Sequence, residues 1–149
     1  MIVLLNPWST PSRKTPLPMS LLALASALDA DVDCRIVDGN LIADPVERIA
    51  RMVGGGPLTA IGVTVMPGPQ LAHAVAATRR LKAAWPGVPI IWGGYFPTQH
   101  AETCLRDESV DFCVLGQGEH TFHDLTRALA TGGSVESIPS LAYRSGGTI

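Results

Sequence analysis

Apolar positions along this chain follow two rhythms in alternation. Five short, nearly unbroken runs predict strands: Met1-Ile2-Val3-Leu4-Leu5, Arg35-Ile36-Val37, Ala60-Ile61-Gly62-Val63-Thr64-Val65, Val88-Pro89-Ile90-Ile91-Trp92 and Val110-Asp111-Phe112-Cys113-Val114-Leu115. Runs of this kind, rather than strict alternation, fit parallel strands covered on both faces. Between them the apolar residues recur at helical spacing. Leu21, Leu24, Ala25 and Leu28 form one stripe, and Val46, Ile49, Ala50 and Val53 form another. Leu71, Ala74, Val75, Thr78, Leu81 and Trp85 form a third, with His73 and Arg80 opposite, and Phe122, Leu125 and Leu129 a fourth. Asp44 is placed to cap the second helix, Pro45 suits its first position, and Glu47 is placed to reach back in a capping box. Gly54-Gly55-Gly56-Pro57, Pro86-Gly87 and Gly132-Gly133 stop helices. A further short helix is expected from near Thr98.

Strand and helix alternating in this way imply an α/β domain with right-handed crossovers. The expected fold is Rossmann-like (flavodoxin-like), a five-stranded parallel sheet in the order 2-1-3-4-5 with helices on both faces. The tail breaks the pattern. Leu141-Ala142-Tyr143-Arg144, Ser145-Gly146-Gly147 and Thr148-Ile149 read as a strand, a turn and the start of a return strand, a hairpin fragment. Residues 1–133 are therefore expected to form one domain, and residues 134–149 a linker or hairpin leading into a further domain downstream.

Composition narrows the function classes. With 149 residues, 46% hydrophobic and 16% charged, the chain is expected to be globular. A net charge of −2 offers no basic surface for nucleic acid, and no apolar run is long enough for a membrane span. The N-terminus has no basic n-region. Cys34, Cys104 and Cys113 share no close spacing, which excludes a disulfide framework, a zinc knuckle and a three-cysteine cluster site. A cytoplasmic location is expected.

Ligands of open parallel sheets bind beyond the carboxyl ends of the strands. After the first strand comes a long proline-rich loop, Asn6-Pro7-Trp8 through Pro18, without the glycines of a dinucleotide turn or an acidic pair. After the third comes Thr64-Val65-Met66-Pro67-Gly68-Pro69, stiff and largely apolar. After the fourth comes Gly93-Gly94-Tyr95-Phe96-Pro97. Its glycines permit close backbone approach or simply a tight turn, and its aromatics suit a large planar ligand or a docked domain. After the fifth comes Gly116-Gln117-Gly118-Glu119, where the carboxylate occupies the place of an anion and argues against a phosphate loop. His120 and His123 lack a third ligand, so no metal site is assigned, and no acid–base pair or activated nucleophile marks a catalytic residue. The edge suits a large, neutral, partly apolar ligand.

These motifs together resemble the N-terminal cobalamin (B12)-binding domain of B12-dependent radical SAM enzymes. The similar stretches are Asn6-Pro7, residues 17–26, Val37-Asp38-Gly39, Ile61-Gly62-Val63-Thr64, Trp92-Gly93-Gly94-Tyr95-Phe96-Pro97-Thr98, residues 116–122 and Leu141-Ala142-Tyr143-Arg144. The resemblance implies a cobalamin whose nucleotide tail enters between sheet and helices while the corrin ring rests on the carboxyl edge. Thr64, Val65 and Met66 would line the tail pocket and ring floor. Gly93 and Gly94 would let the tail pass, bordered by Tyr95, Phe96 and Pro97. Gly116, Gly118 and Glu119 would form the far wall, and Asn6, Pro7 and Trp8 would cover the near side. B12 domains of mutases and methionine synthase carry Asp-x-His-x-x-Gly after strand one, whose His ligates cobalt. Residues 6–20 contain neither His nor Gly. The resemblance thus implies base-off binding without a protein histidine, and presentation of the cofactor to a downstream radical SAM domain, for methyl transfer. That domain would hold the [4Fe-4S] cluster and S-adenosylmethionine, since the chain has no Cys-x-x-x-Cys-x-x-Cys segment. The alternatives are a flavodoxin-like protein-interaction domain without a cofactor and a flavin- or nucleotide-binding domain.

Overall fold

A single mixed sheet organises the chain in a computed structural model that describes residues 1–9 and 15–149. The strands are β1 (Ile2–Asn6), β2 (Cys34–Asp38), β3 (Ala60–Thr64), β4 (Ile90–Gly93), β5 (Phe112–Val114) and β6 (Leu141–Tyr143). The helices are α1 (Met19–Ala27), α2 (Pro45–Val53), α3 (Pro69–Ala84), α4 (Tyr95–Leu105) and α5 (Glu119–Thr131). The strand order is β2-β1-β3-β4-β5-β6. The first five strands are parallel, as expected. The tail forms the expected strand and turn, with Ser145 and Thr148 bridged antiparallel across Gly146-Gly147, but its strand also joins the sheet: β6 pairs antiparallel with β5, Cys113 opposite Ala142, and makes the sheet six-stranded. Residues 10–14, the middle of the long proline-rich loop, lie outside the described residues.

Because successive side chains alternate across a strand, each strand feeds two cores. Val3, Leu5, Ile61, Val63, Ile90, Trp92 and Cys113 pack with α2, α3 and α4 through Ile49, Leu81 and Leu105. Ile2, Leu4, Ala60, Ile91 and Val114 pack with α1 and α5 through Leu21, Phe122 and Leu125. The buried indole Nε1–H of Trp92 donates to Thr78 Oγ1 at 2.9 Å and pins α3 to β4.

Two local expectations need correction. The capping of α2 is half realised. Asp44 accepts from the Glu47 N–H at 3.0 Å, but the Glu47 carboxylate turns forward to pair with Arg51, its neighbour one turn on, instead of reaching back. The helix expected near Thr98 begins at Tyr95. Gly94, at φ 99°, turns the chain sharply off β4, and Pro97 suits a first turn whose N–H groups have no intrahelical partner. Tyr95, Phe96 and Pro97 are therefore helical, not a loop.

Candidate functional site

The α1/α5 face of the sheet loses its side chains towards the carboxyl edge. There β3 presents Gly62 and then Thr64, and β4 presents Ile91 and then Gly93. The register sets Gly62 opposite Ile91 and Thr64 opposite Gly93. The small residues leave a slot of about 250 Å³ between the strands and helices α1 and α5. Leu21 and Leu24 of α1 form one wall, Val114 and the turn from Gly116 to Gly118 another, and Phe122 of α5 closes the bottom.

The glycines at this slot differ in what they do. A Cβ on Gly62 would stand 2.8 Å from Leu4 Cδ2 and 3.1 Å from Phe122 Cε2, so packing demands a glycine there. Gly94 combines its positive φ with a Cβ position only 3.1 Å from the Val65 carbonyl oxygen. A Cβ on Gly93 would meet nothing nearer than the Val114 carbonyl oxygen at 4.0 Å. Neither crowding nor a left-handed backbone requires Gly93 to lack a side chain, and its effect is to keep the mouth open.

The structure gathers six of the fourteen anticipated residues at this slot: Thr64, Gly93, Gly94, Gly116, Gly118 and Glu119. Met66 (47% exposed) and Tyr95 (59% exposed) stand on the rim of the same edge. Val65 is fully buried in the α2/α3/α4 core, and its carbonyl accepts the Phe96 N–H at 3.1 Å. Phe96 and Pro97 are drawn away from the slot by the early start of α4. Phe96 packs on that same opposite core and against the His100 ring, centroids 4.9 Å apart, and Pro97 is buried. Pro7 and Trp8 line a separate cleft of about 520 Å³ beside α2 and α3, where Trp8 lies 4.8 Å from the His73 ring.

Asn6 is buried and committed to the protein. Its Nδ2 donates to Asp38 Oδ1 at 3.0 Å, and its Oδ1 accepts from Gln70 Nε2 at 2.9 Å. Gln70 Oε1 in turn accepts the Met66 N–H at 2.8 Å. The loops after β1, β2 and β3 are thereby tied together beneath the edge.

The residues that sequence reasoning did not assign to the site are Ser20, Leu21, Leu24, Gly62, Val63, Ile91, Val114, Gln117 and Phe122. Gly62 carried a usable signal, because a glycine inside an apolar strand marks close approach. Leu21 and Phe122 were legible as helix stripes but not as walls, since periodicity gives a face and not its partner.

Behind the slot, His123 of α5 bonds Asp29, just past α1, through Nε2 at 3.2 Å and its neighbour Asp124 through Nδ1 at 3.0 Å. The bonds to Asp124 and then Asp29 raise the imidazole above its ordinary value. Among the described residues no three His, Cys, Asp or Glu side chains are grouped to hold a metal ion, and no helix is long and apolar enough to cross a membrane.

Residues 12–126 match the B12 binding domain family. Over 141 residues the chain is 31% identical to the anaerobic magnesium-protoporphyrin IX monomethyl ester cyclase of Synechocystis sp., covering 90% of this chain and 27% of that protein. It spans about a quarter of the length of the curated relatives it matches. Among solved structures, the radical S-adenosylmethionine methyltransferase TsrM from Kitasatospora setae, with cobalamin and a [4Fe-4S] cluster bound, superposes with a TM-score of 0.82 at 18% identity, over 97% of this chain and 27% of that one. The cobalamin-dependent S-adenosylmethionine radical enzyme OxsB, with aqua-cobalamin and S-adenosylmethionine bound, superposes with a TM-score of 0.83 at 18% identity, over 99% of this chain and 21% of that one.

Proposed function

The chain belongs to the B12 binding domain family, and from that premise we propose that it seats a cobalamin with the nucleotide tail in the α1/α5 slot and the corrin ring on the carboxyl edge of the sheet. The observation that carries this reading is the open space over Gly93. The fold keeps a glycine where nothing crowds a side chain, directly above a floor made by Gly62 and Phe122. Thr64, Gly93, Gly94, Gly116 and Gly118 would hold the tail, with Glu119 on the far wall and Met66 and Tyr95 bordering the ring. Val65, Asn6 and Gln70 would act from beneath, by fixing the loops that carry those contacts.

In this seating the lower face of the cobalt would take no histidine from the loop after β1. Residues 6–20 contain none, and none of the chain's four histidines lines the slot. With the tail in the slot its base would lie away from the cobalt, so binding would be base-off, and residues 6–20 offer no imidazole in its place. When bound, cobalamin supplies a cobalt centre that carries a methyl group between donor and acceptor. Residues 1–133 would hold it, and residues 134–149, which add β6 to the same sheet, would lead on to a radical SAM domain that carries the [4Fe-4S] cluster and S-adenosylmethionine. The whole protein acts in the cytoplasm as a methyl-transferring enzyme without a nucleic-acid partner.

Thermal unfolding tests the reading. A ligand at a hundred times its dissociation constant adds ~2.7 kcal/mol, or about 5–10 °C for a domain of this size. Hydroxocobalamin is expected to produce that shift and flavin mononucleotide to produce none. The reverse result would favour a flavin site, and no shift with either would favour a docking domain. In the cobalamin-loaded protein, electron paramagnetic resonance of Co(II) is expected to show no nitrogen splitting from an axial imidazole.

A further inference from the structure

The slot changes polarity with depth. Gly62 and Ile91 lie two residues below Thr64 and Gly93, about 7 Å inside the sheet edge. At that level the walls are Leu21, Ile91, Val114 and Phe122, each no more than 4% exposed and none carrying a polar side-chain atom. The backbone of β3 and β4 there is committed to the ladder between them. Among the described residues no buried side-chain nitrogen or oxygen lacks a partner, so no hidden group waits for a ligand. The side chains able to form hydrogen bonds, Ser20, Thr64, Gln117 and Glu119, all stand at the mouth, partly or fully exposed.

A tail that enters this slot meets hydrogen-bonding groups along its sugar and phosphate but a dry hydrocarbon box at its terminal base. We infer that the slot selects among corrinoids by that base, accepting a benzimidazole or a phenol and rejecting a purine. This rests on the proposed seating of the tail between α1 and α5. The physical basis is asymmetric. A p-cresolyl tail brings no ring heteroatom and a benzimidazole only its one free imidazole nitrogen, and their methyl groups bury area against Leu21, Ile91 and Phe122. An adenine brings an exocyclic amine and additional ring nitrogens, each stripped of water and left without a partner. Sites discriminate strongly when the wrong ligand strands a polar group in this way.

Corrinoids differing only in the lower base test the inference. The chain would be titrated with hydroxocobalamin, p-cresolyl cobamide, the adenine-bearing pseudocobalamin and the tail-less cobinamide, followed by quenching of its tryptophan fluorescence. With the cost of releasing each base from cobalt measured separately by acid titration and subtracted, cobalamin and p-cresolyl cobamide are expected to bind alike, and pseudocobalamin about tenfold more weakly or worse, no better than cobinamide. Pseudocobalamin binding within about threefold of cobalamin would overturn base selection while leaving cobalamin binding intact. Failure of cobalamin itself to bind would overturn the proposed function, and this inference with it.

Discussion

The ring of Phe122 lies across Gly62, so close that a Cβ on the glycine would stand 3.1 Å from Cε2 and 3.2 Å from Cζ. This contact between α5 and β3 sets the depth of the slot. A helix five elements downstream in the chain sets an aromatic plug here from its first turn, because one strand residue has no side chain. The neighbouring Gly93 shows the opposite logic, since no atom of the protein fills the place of its missing Cβ. One glycine permits packing and the other preserves space.

Gly93→Val is accordingly expected to fold and to lose the ligand. Valine favours a strand and narrows the unfolded ensemble, which adds roughly 0.4–1 kcal/mol where the native backbone accepts it. The variant should melt at or slightly above the parent. Its added methyl groups project into the mouth of the slot and block the tail. Cobalamin should then bind no better than cobinamide, whereas the parent should prefer cobalamin. A parent-like preference in the variant would show that the tail does not pass Gly93.

Gly62→Ala should do the reverse to stability. The added methyl overlaps Leu4 and Phe122, and overpacking of a close-packed core costs about 1–3 kcal/mol. Phe122→Leu in the same chain removes the ring edge and relieves much of that strain. Chemical denaturation of the two single variants and the double variant is expected to give a double-mutant loss smaller than the sum of the single losses. Strict additivity would mean that the two residues do not meet.

Much of this arrangement was legible in the residues, and the exceptions have physical causes. The five parallel strands and their order followed from apolar runs spaced by amphipathic stripes, because burial on both faces leaves a distinctive pattern. The glycine pair at positions 93 and 94 was legible as a stretch of the sheet edge left without side chains, and it lines the slot. The turn of Phe96 and Pro97 into the opposite core was not. It depends on a positive φ at Gly94, which composition does not reveal, and it moves a whole aromatic motif from loop to helix. Asn6 is a comparable case. A polar residue at a strand end reads equally as a ligand contact or a structural tie, and only the positions of Asp38 and Gln70 decide for the tie. The walls supplied by Leu21 and Phe122 come from helices that meet only through tertiary packing.

The pairing of His123 with Asp124 and Asp29 predicts a pH dependence of stability. The carboxylates raise the folded-state imidazole above its unfolded value of about 6.5. A group raised on folding contributes fully below the unfolded value, and its contribution fades as the pH rises through the folded one. The melting temperature of the parent should therefore exceed that of His123→Gln most at about pH 5.5, with the gap narrowing by about pH 8. A gap that is constant across this range would show that the pair carries no proton-linked stability. Since the contact joins α5 to the end of α1, the same titration should loosen the walls of the slot and be visible as weaker cobalamin binding at the higher pH.

Gln70 offers the sharpest separation between touching the ligand and positioning what touches it. It is 5% exposed and does not line the slot. Its Nε2 donates to Asn6 Oδ1 and to the Pro7 carbonyl at 3.2 Å, and its Oε1 accepts from the Met66 N–H. Asn6 carries the connection to Asp38, whose Oδ1 also accepts from the Asn40 N–H at 2.9 Å, and Asn40 Oδ1 receives the Ser9 N–H at 2.9 Å. Gln70→Met keeps the volume and removes both roles, stranding buried partners at a cost of about 1–3 kcal/mol. The loop bearing Met66 then loses its anchor at the edge where the ring is proposed to rest. Cobalamin affinity should fall severalfold, and cobinamide affinity should fall with it, since the affected contacts serve the ring and not the tail. That parallel loss distinguishes Gln70→Met from Gly93→Val, in which only cobalamin should weaken. An unchanged affinity for both corrinoids in a folded Gln70→Met protein would show that the network stabilises the domain without shaping its edge.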